Sequence, residues 1–318
     1  MKSICEQDEF PSIPSSWPSH IDLKALVHKA GKLFIWAATA VKFIGDTYIL
    51  DPEGQLQIIL NRSASSQKPY AELDELYHMV LSKGVSNPDR MLDFQHVLAT
   101  VVLLRNPMSL QTLSKFLQIP DIRNLLIHIQ SIIPLPQDPE GKVEIYHPSF
   151  PDFITDSSRC HDDRFRVDVA GCERRMSLQC LELLTAGLPD AVYEIVPWHS
   201  LNASIANLTT KLTSVVGLEV QYACQFWASH LGKVEVVDGK LGLALEKFTG
   251  VGMGAGKGYF LKWVMVMSMM GGVHDAIRSL QGLLHWLVSI QVSCIRMLLI
   301  DPCIEVIKVS NGHLHHSE

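Results

Sequence analysis

Four groups of residues in this chain have the composition to do chemistry, and each can be judged by the spacing that chemistry needs. The stretch Gly250-Val251-Gly252-Met253-Gly254-Ala255-Gly256-Lys257-Gly258 offers backbone N–H groups of the kind that cradle phosphates ahead of a helix. A phosphate loop requires Gly five positions before the Gly-Lys pair and Ser or Thr after the lysine; those places hold Val251 and Gly258. The spacing leaves a flexible linker. Cys160-His161, Cys172 and Cys180 could supply soft and imidazole ligands, but the chain has no Cys-x-x-Cys pair and its spacings match no zinc framework. They read as core thiols with one surface histidine, so no metal site is expected. His313, His315 and His316 read as a frayed terminus. The last group, His147, Ser149 and Asp152, has the composition of a hydrolytic trio. No Gly-x-Ser-x-Gly surrounds Ser149 and no strained strand-to-helix elbow presents it, so no catalytic residue is assigned. What the group does offer is an imidazole at a strand-to-helix junction, where Nδ1 or Nε2 could donate to a phosphate. From the residues alone a structural histidine is preferred.

The elements that would position these groups are mostly helical. Pro11, Pro14 and Pro18 form a lead-in, and Ile21, Leu23, Leu26 and Val27 begin a helical period with Ser19 or His20 as cap. Leu33 to Val41 is apolar on all sides and should be buried. Asp51-Pro52-Glu53-Gly54 reads as a turn before a short helix over Leu56 to Leu60, and Asn61 to Pro69 as a linker. Leu73, Leu76, Tyr77, Val80 and Leu81 make a helix face, and Asn87-Pro88-Asp89 caps the next helix, Met91 to Leu104. Helices over Leu110 to Leu117 and Ile122 to Ile132 follow. Ile133 to Pro136, a turn at Gln137 to Gly141 and the alternating Val143 to Tyr146 then predict a hairpin, and Pro148 to Thr155 a closing helix. Beyond the charged stretch Ser157 to Arg175 the pattern is helix upon helix, with no period of a solenoid. The expected fold is mostly α. A lead-in and small helical domain covers 1–66, a winged-helix domain with a short β-hairpin covers 67–156, and an irregular second helical domain covers 157–318 with a glycine-rich linker near 249–258.

Composition narrows the function. Of 318 residues, 47% are hydrophobic and 19% charged, so the chain can build a core and should also meet a partner. Its 27 Lys+Arg against 33 Asp+Glu give a net charge of −6, and residues 1 to 156 hold 13 against 18, a net −5. Nucleic acid is disfavoured as a partner, the more so because Arg123 is the one strongly basic side chain on the recognition-like helix. The three acids within Met1 to Glu9 and the absence of an apolar region there exclude a secretory signal at this end. A cytoplasmic location is expected, with the seven cysteines reduced. Ser279 to Ile295 is uncharged but interrupted by Gln281, His285 and Gln291 and too short for a span, so no membrane partner is expected.

Several strings resemble the fungal NACHT-type signal-transduction ATPases: Ala30 to Ile44, Leu73-Asp74-Glu75-Leu76-Tyr77, Val97 to Arg105, His147-Pro148-Ser149-Phe150-Pro151-Asp152-Phe153-Ile154-Thr155-Asp156, Arg159-Cys160 and Tyr222 to Leu231. Their order and spacing run from about residue 17 to 281. The resemblance implies the part of such a switch that follows its nucleotide-binding core: helical domain, winged helix, second helical domain. It implies ADP or ATP in the complete architecture and none for this chain, which has no phosphate loop, no Walker B acids and no sensor segment, and hence no hydrolysis. It implies that His147 contacts the ADP phosphate only when the core is present, and that this core is the missing partner. A stand-alone interaction or scaffold protein derived from such a switch is the alternative, and a winged-helix DNA binder a more distant one.

Overall fold

In a computed structural model of the chain, the described residues are 16–62, 70–85, 88–197, 200–250 and 258–289, with positions 1, 4, 10, 13 and 14 nearer the start. The linker residues 63–69, the expected cap Asn87, glycine-stretch residues 251–257, the three C-terminal histidines and Cys5, Cys294 and Cys303 lie outside them. The described residues form fifteen α-helices, and the chain divides into two compact units, Met1–Asp168 and Val169–Glu318.

The first unit opens with α1 (His20–Ala30), started by Ser19, whose hydroxyl accepts the Asp22 N–H at 3.2 Å. Next comes α2 (Phe34–Ile44), which buries Trp36, Ala40, Phe43 and Ile44 but leaves Phe34 92% exposed. The run expected to be buried all round therefore keeps one open face. Asp51-Pro52-Glu53-Gly54 is a helix start and not a separate turn: Asp51 Oδ1 accepts the Gly54 N–H at 2.8 Å and Pro52 stands at the first position of α3 (Pro52–Asn61). The same residue types serve turns and caps, which is why the sequence pattern misassigned them. Two buried donors join these helices to their neighbours. Gln55 Nε2 donates to the Phe43 carbonyl (2.8 Å), and Trp36 Nε1 to the Glu72 carbonyl of α4 (Ala71–Gly84) at 3.1 Å.

A 3₁₀ turn at Pro88–Arg90 leads into α5 (Met91–Leu103), and α6 (Leu110–Leu117) starts on Ser109, which accepts the Thr112 N–H at 3.2 Å. The recognition-like helix is shorter than expected. After α7 (Ile122–Leu126) the chain tightens into a 3₁₀ turn at Ile127–Ile129. The expected hairpin does not form, and among the described residues there is no strand. Pro134 and Pro136 have no N–H to give a ladder. Instead, Lys142 makes an isolated antiparallel bridge with Ser109, Val143 N–H donates to the Met108 carbonyl (2.8 Å), and Tyr146 N–H donates to that of Ile132 (2.9 Å). The unit closes with α8 (Ser149–Thr155). Residues 157–168, assigned from sequence to the second helical domain, are tied within this unit. Val167 N–H donates to the Ile154 carbonyl at 2.9 Å, and Phe165 stacks edge-on to Phe94 at 6.4 Å.

In the second unit α9 (Val169–Ala186) packs along α12 (Leu218–Leu231). Between them in sequence lie the single turn α10 (Val192–Ile195) and α11 (Leu208–Val215). Next are α13 (Gly239–Thr249), capped by Asp238, then α14 (Tyr259–Met269) and α15 (Val273–Ser289). Gly250 ends α13 at φ 77°, a left-handed position that glycine takes without Cβ strain, and its N–H closes on the Glu246 carbonyl. Trp227, Phe248, Phe260 and Trp263 form an aromatic core with centroids 5.0 to 6.3 Å apart. No described helix is long and apolar enough to cross a membrane.

Candidate functional site

The face of α4 that buries Leu73, Leu76 and Val80 also buries Tyr77, whose ring packs on Phe150 (5.2 Å, edge-on) and Phe153 (5.5 Å) of α8. That packing brings the phenol to Ser149 Oγ at 2.8 Å, and Ser149 Oγ lies 2.8 Å from His147 Nδ1. Burial pushes the Tyr77 hydroxyl above its ordinary pKa, partly offset by the bond to Ser149, so the group stays a neutral donor. The Ser149 backbone N–H also donates to His147 Nδ1, at 3.1 Å. A backbone N–H can only donate, so this network assigns Nδ1 as acceptor and leaves the proton of the neutral imidazole on Nε2. The ring is half-buried, and Nε2 has no protein partner among the described residues. Of the two nitrogens offered by the sequence as phosphate donors, only Nε2 remains.

This polarity is the reverse of that in a hydrolytic triad, where Nδ1–H donates to a carboxylate and the other nitrogen takes the serine proton. Asp152 does not join the group. Its N–H donates to the Pro148 carbonyl at 3.3 Å, and its charge acts on Arg159. The third member is Tyr77, 72 positions from Ser149, which the sequence pattern had identified only as one residue of a helix face. Around the group, Arg159 grips Asp74 with two bonds (2.6 and 3.2 Å) and lies over the Tyr70 ring. His78 meets Asp162 at 3.1 Å, and Arg164, followed by its backbone and His78 partners, holds the Asp162 carboxyl well below the usual range.

The other sequence candidates separate. Among the described residues no three His, Cys, Asp or Glu side chains gather as a metal site. Cys160, Cys172 and Cys180 are buried; burial pushes the Cys160 thiol up to about 11 and the Cys180 and Cys224 thiols higher still, which leaves them unreactive. Arg123 turns one guanidinium N–H to the Pro136 carbonyl (2.8 Å), and Ile122, Leu125 and Leu126 face the core. A five-residue helix with three side chains in the core and Arg123 as its one strongly basic residue offers few side chains to read a groove.

Sequence reasoning missed a second histidine altogether. In the second unit His230 is fully buried, with Nδ1 2.6 Å from Glu173 Oε2 and Nε2 3.0 Å from the Tyr222 hydroxyl. The signal was present in the row Tyr222, Phe226, His230 at i, i+4, i+8 on one helix. Its acidic partner lies 57 positions away. No family model, no curated protein and no solved structure matches this chain.

Proposed function

We propose that this chain is a non-catalytic regulatory part of a NACHT-type ADP/ATP signalling switch, packing against a nucleotide-binding core and controlling its closed-to-open transition. The observation that carries the reading is the state of His147. Ser149 occupies Nδ1 from the backbone, and the Nε2–H remains as a donor for a diphosphate oxygen supplied by that core. The chain's own residues contain no phosphate loop to bind Mg²⁺ or position water, so the reading is regulatory and not enzymatic, and the nucleotide belongs to the core. The exposed apolar side chains Ile21 (79%), Val27 (69%) and Phe34 (92%) on α1 and α2 suit packing against a further surface. Those same side chains suit the second reading, a stand-alone interaction or scaffold protein. Either reading implies a cytoplasmic location.

The test mixes the purified chain with the nucleotide-binding core of a complete family member loaded with fluorescent ADP. The regulatory reading expects slower ADP release with the chain present and loss of that slowing with His147→Ala. Release that is indifferent to the chain leaves the scaffold reading. ADP that copurifies with the chain alone would overturn the assignment of the nucleotide to the core.

A further inference from the structure

A second feature of the first unit lies apart from the His147 group and is independent of the reading above. A cleft of about 450 Å³ opens beside the C-terminal end of α2, within the range of small-ligand sites. Its lining includes Lys42, Arg123 and Ser131, with Val41, Pro134 and Leu135 as apolar wall. Three observations converge there. Among the described residues Arg123 has no carboxylate partner, and it spends one N–H on the Pro136 carbonyl, leaving the rest of its fork. Lys42 likewise has no carboxylate among the described residues, and its ammonium rests 3.3 Å from the centroid of the Tyr146 ring. Ser131 is 6% exposed, and among the described residues its hydroxyl makes no hydrogen bond. Its hydroxyl is therefore open to the cleft, where it can donate to or accept from a ligand.

The contrast with the rest of the unit is informative, because Arg62, Arg90, Arg159, Arg164 and Arg166 each hold an acid. Asp46 is the one acid among the described lining residues. Its carboxylate accepts the Tyr48 N–H at 2.9 Å, and burial, opposed by that bond and by His128, raises its pKa. Burial also lowers the pKa of Lys42.

We propose that this cleft binds a small organic anion, its carboxylate or phosphate head held by Arg123, Lys42 and Ser131 and its apolar part laid on Val41, Pro134 and Leu135. The two head groups share the chemistry of planar or tetrahedral oxyanion recognition by a guanidinium fork.

Calorimetry and ligand-observed NMR on the full chain test it with benzoate and phenyl phosphate, inorganic phosphate as the head alone, and benzyl alcohol as the uncharged control. One of the two organic anions should bind more tightly than inorganic phosphate, and benzyl alcohol should not bind. Stronger binding of phenyl phosphate assigns a phosphate head, and stronger binding of benzoate a carboxylate. Arg123→Gln should weaken binding about tenfold, Ser131→Ala by a smaller factor, and His147→Ala not at all. Because Arg123 also braces the Pro136 carbonyl, the exposed Lys42→Gln provides the second variant if Arg123→Gln does not fold. Failure of both organic anions to bind at millimolar concentration overturns the proposal, as does binding unchanged in Lys42→Gln and Arg123→Gln or abolished by His147→Ala.

Discussion

His147 in the first unit and His230 in the second are both bonded into networks that end on a tyrosine hydroxyl, and they differ in what their nitrogens have left to give. At His147, Nδ1 accepts from Ser149, and Nε2 is unengaged among the described residues in a half-buried ring. At His230 both nitrogens are used in a fully buried ring. Nδ1 donates to the Glu173 carboxylate and Nε2 accepts from Tyr222, so the two histidines hold opposite tautomers when neutral. Residue type is the same. What separates a histidine able to meet a ligand from one that locks two helices is whether the surrounding fold has consumed its hydrogen-bonding capacity.

The sharpest way to break this comparison is to remove the locking histidine. His230→Ala removes the Nδ1 partner of the buried Glu173 carboxylate and should cost the second unit about 3–5 kcal/mol, read from urea denaturation. A cost near zero would show that Glu173 finds another partner and that the lock is dispensable. Next in size is a matched pair. Tyr222→Phe removes a donor to a fully buried Nε2 and should cost about 1–3 kcal/mol, whereas Tyr77→Phe, which leaves a part-buried Ser149 hydroxyl that still reaches His147, should cost about 0.5–1.5 kcal/mol. Equal costs would mean that burial does not distinguish the two networks.

The smallest effect is in the acid response of the first unit. The native Asp162 carboxyl is held below its unfolded pKa, first by Arg164 and further by His78. Its stabilisation is therefore present above the unfolded value of about 3.9 and is lost as pH falls through the lower native value. Asp162→Asn should flatten that acid decline in a pH series of thermal unfolding while leaving the second unit's midpoint unchanged. An unaltered decline would remove Asp162 from the account.

Much of the helical framework was legible because its signals are local. Ser19 and Ser109 cap helices through bonds to the residue three positions on, and the face Leu73, Leu76, Tyr77, Val80 and Leu81 recurs at helical spacing in one element. The failures were local ambiguities resolved elsewhere. Asp51 and Pro52 suit a turn or a cap equally well, and packing selected the cap. Val143 to Tyr146 alternates like a strand, but its expected partner carries two prolines, so its donors went to Met108 and Ile132. At the candidate site, His147 and Ser149 were identifiable from their adjacency. Tyr77 was not, because nothing within a few residues of it refers to Ser149.

By itself, the sequence determined that this is a helical chain, where several helices begin, that His147 stands beside Ser149 at a helix start, and that no phosphate loop accompanies them. All of these depend on residues within about one turn of each other, where geometry follows from backbone periodicity and side-chain reach. The tertiary structure alone decided how the two nitrogens of each histidine are engaged. It also decided that Asp152 stays out of the group, that Tyr77 enters it and that Glu173 meets His230. Those outcomes require partners 57 to 72 positions apart to be brought within 3 Å, and only the packing of whole helices against one another sets such distances.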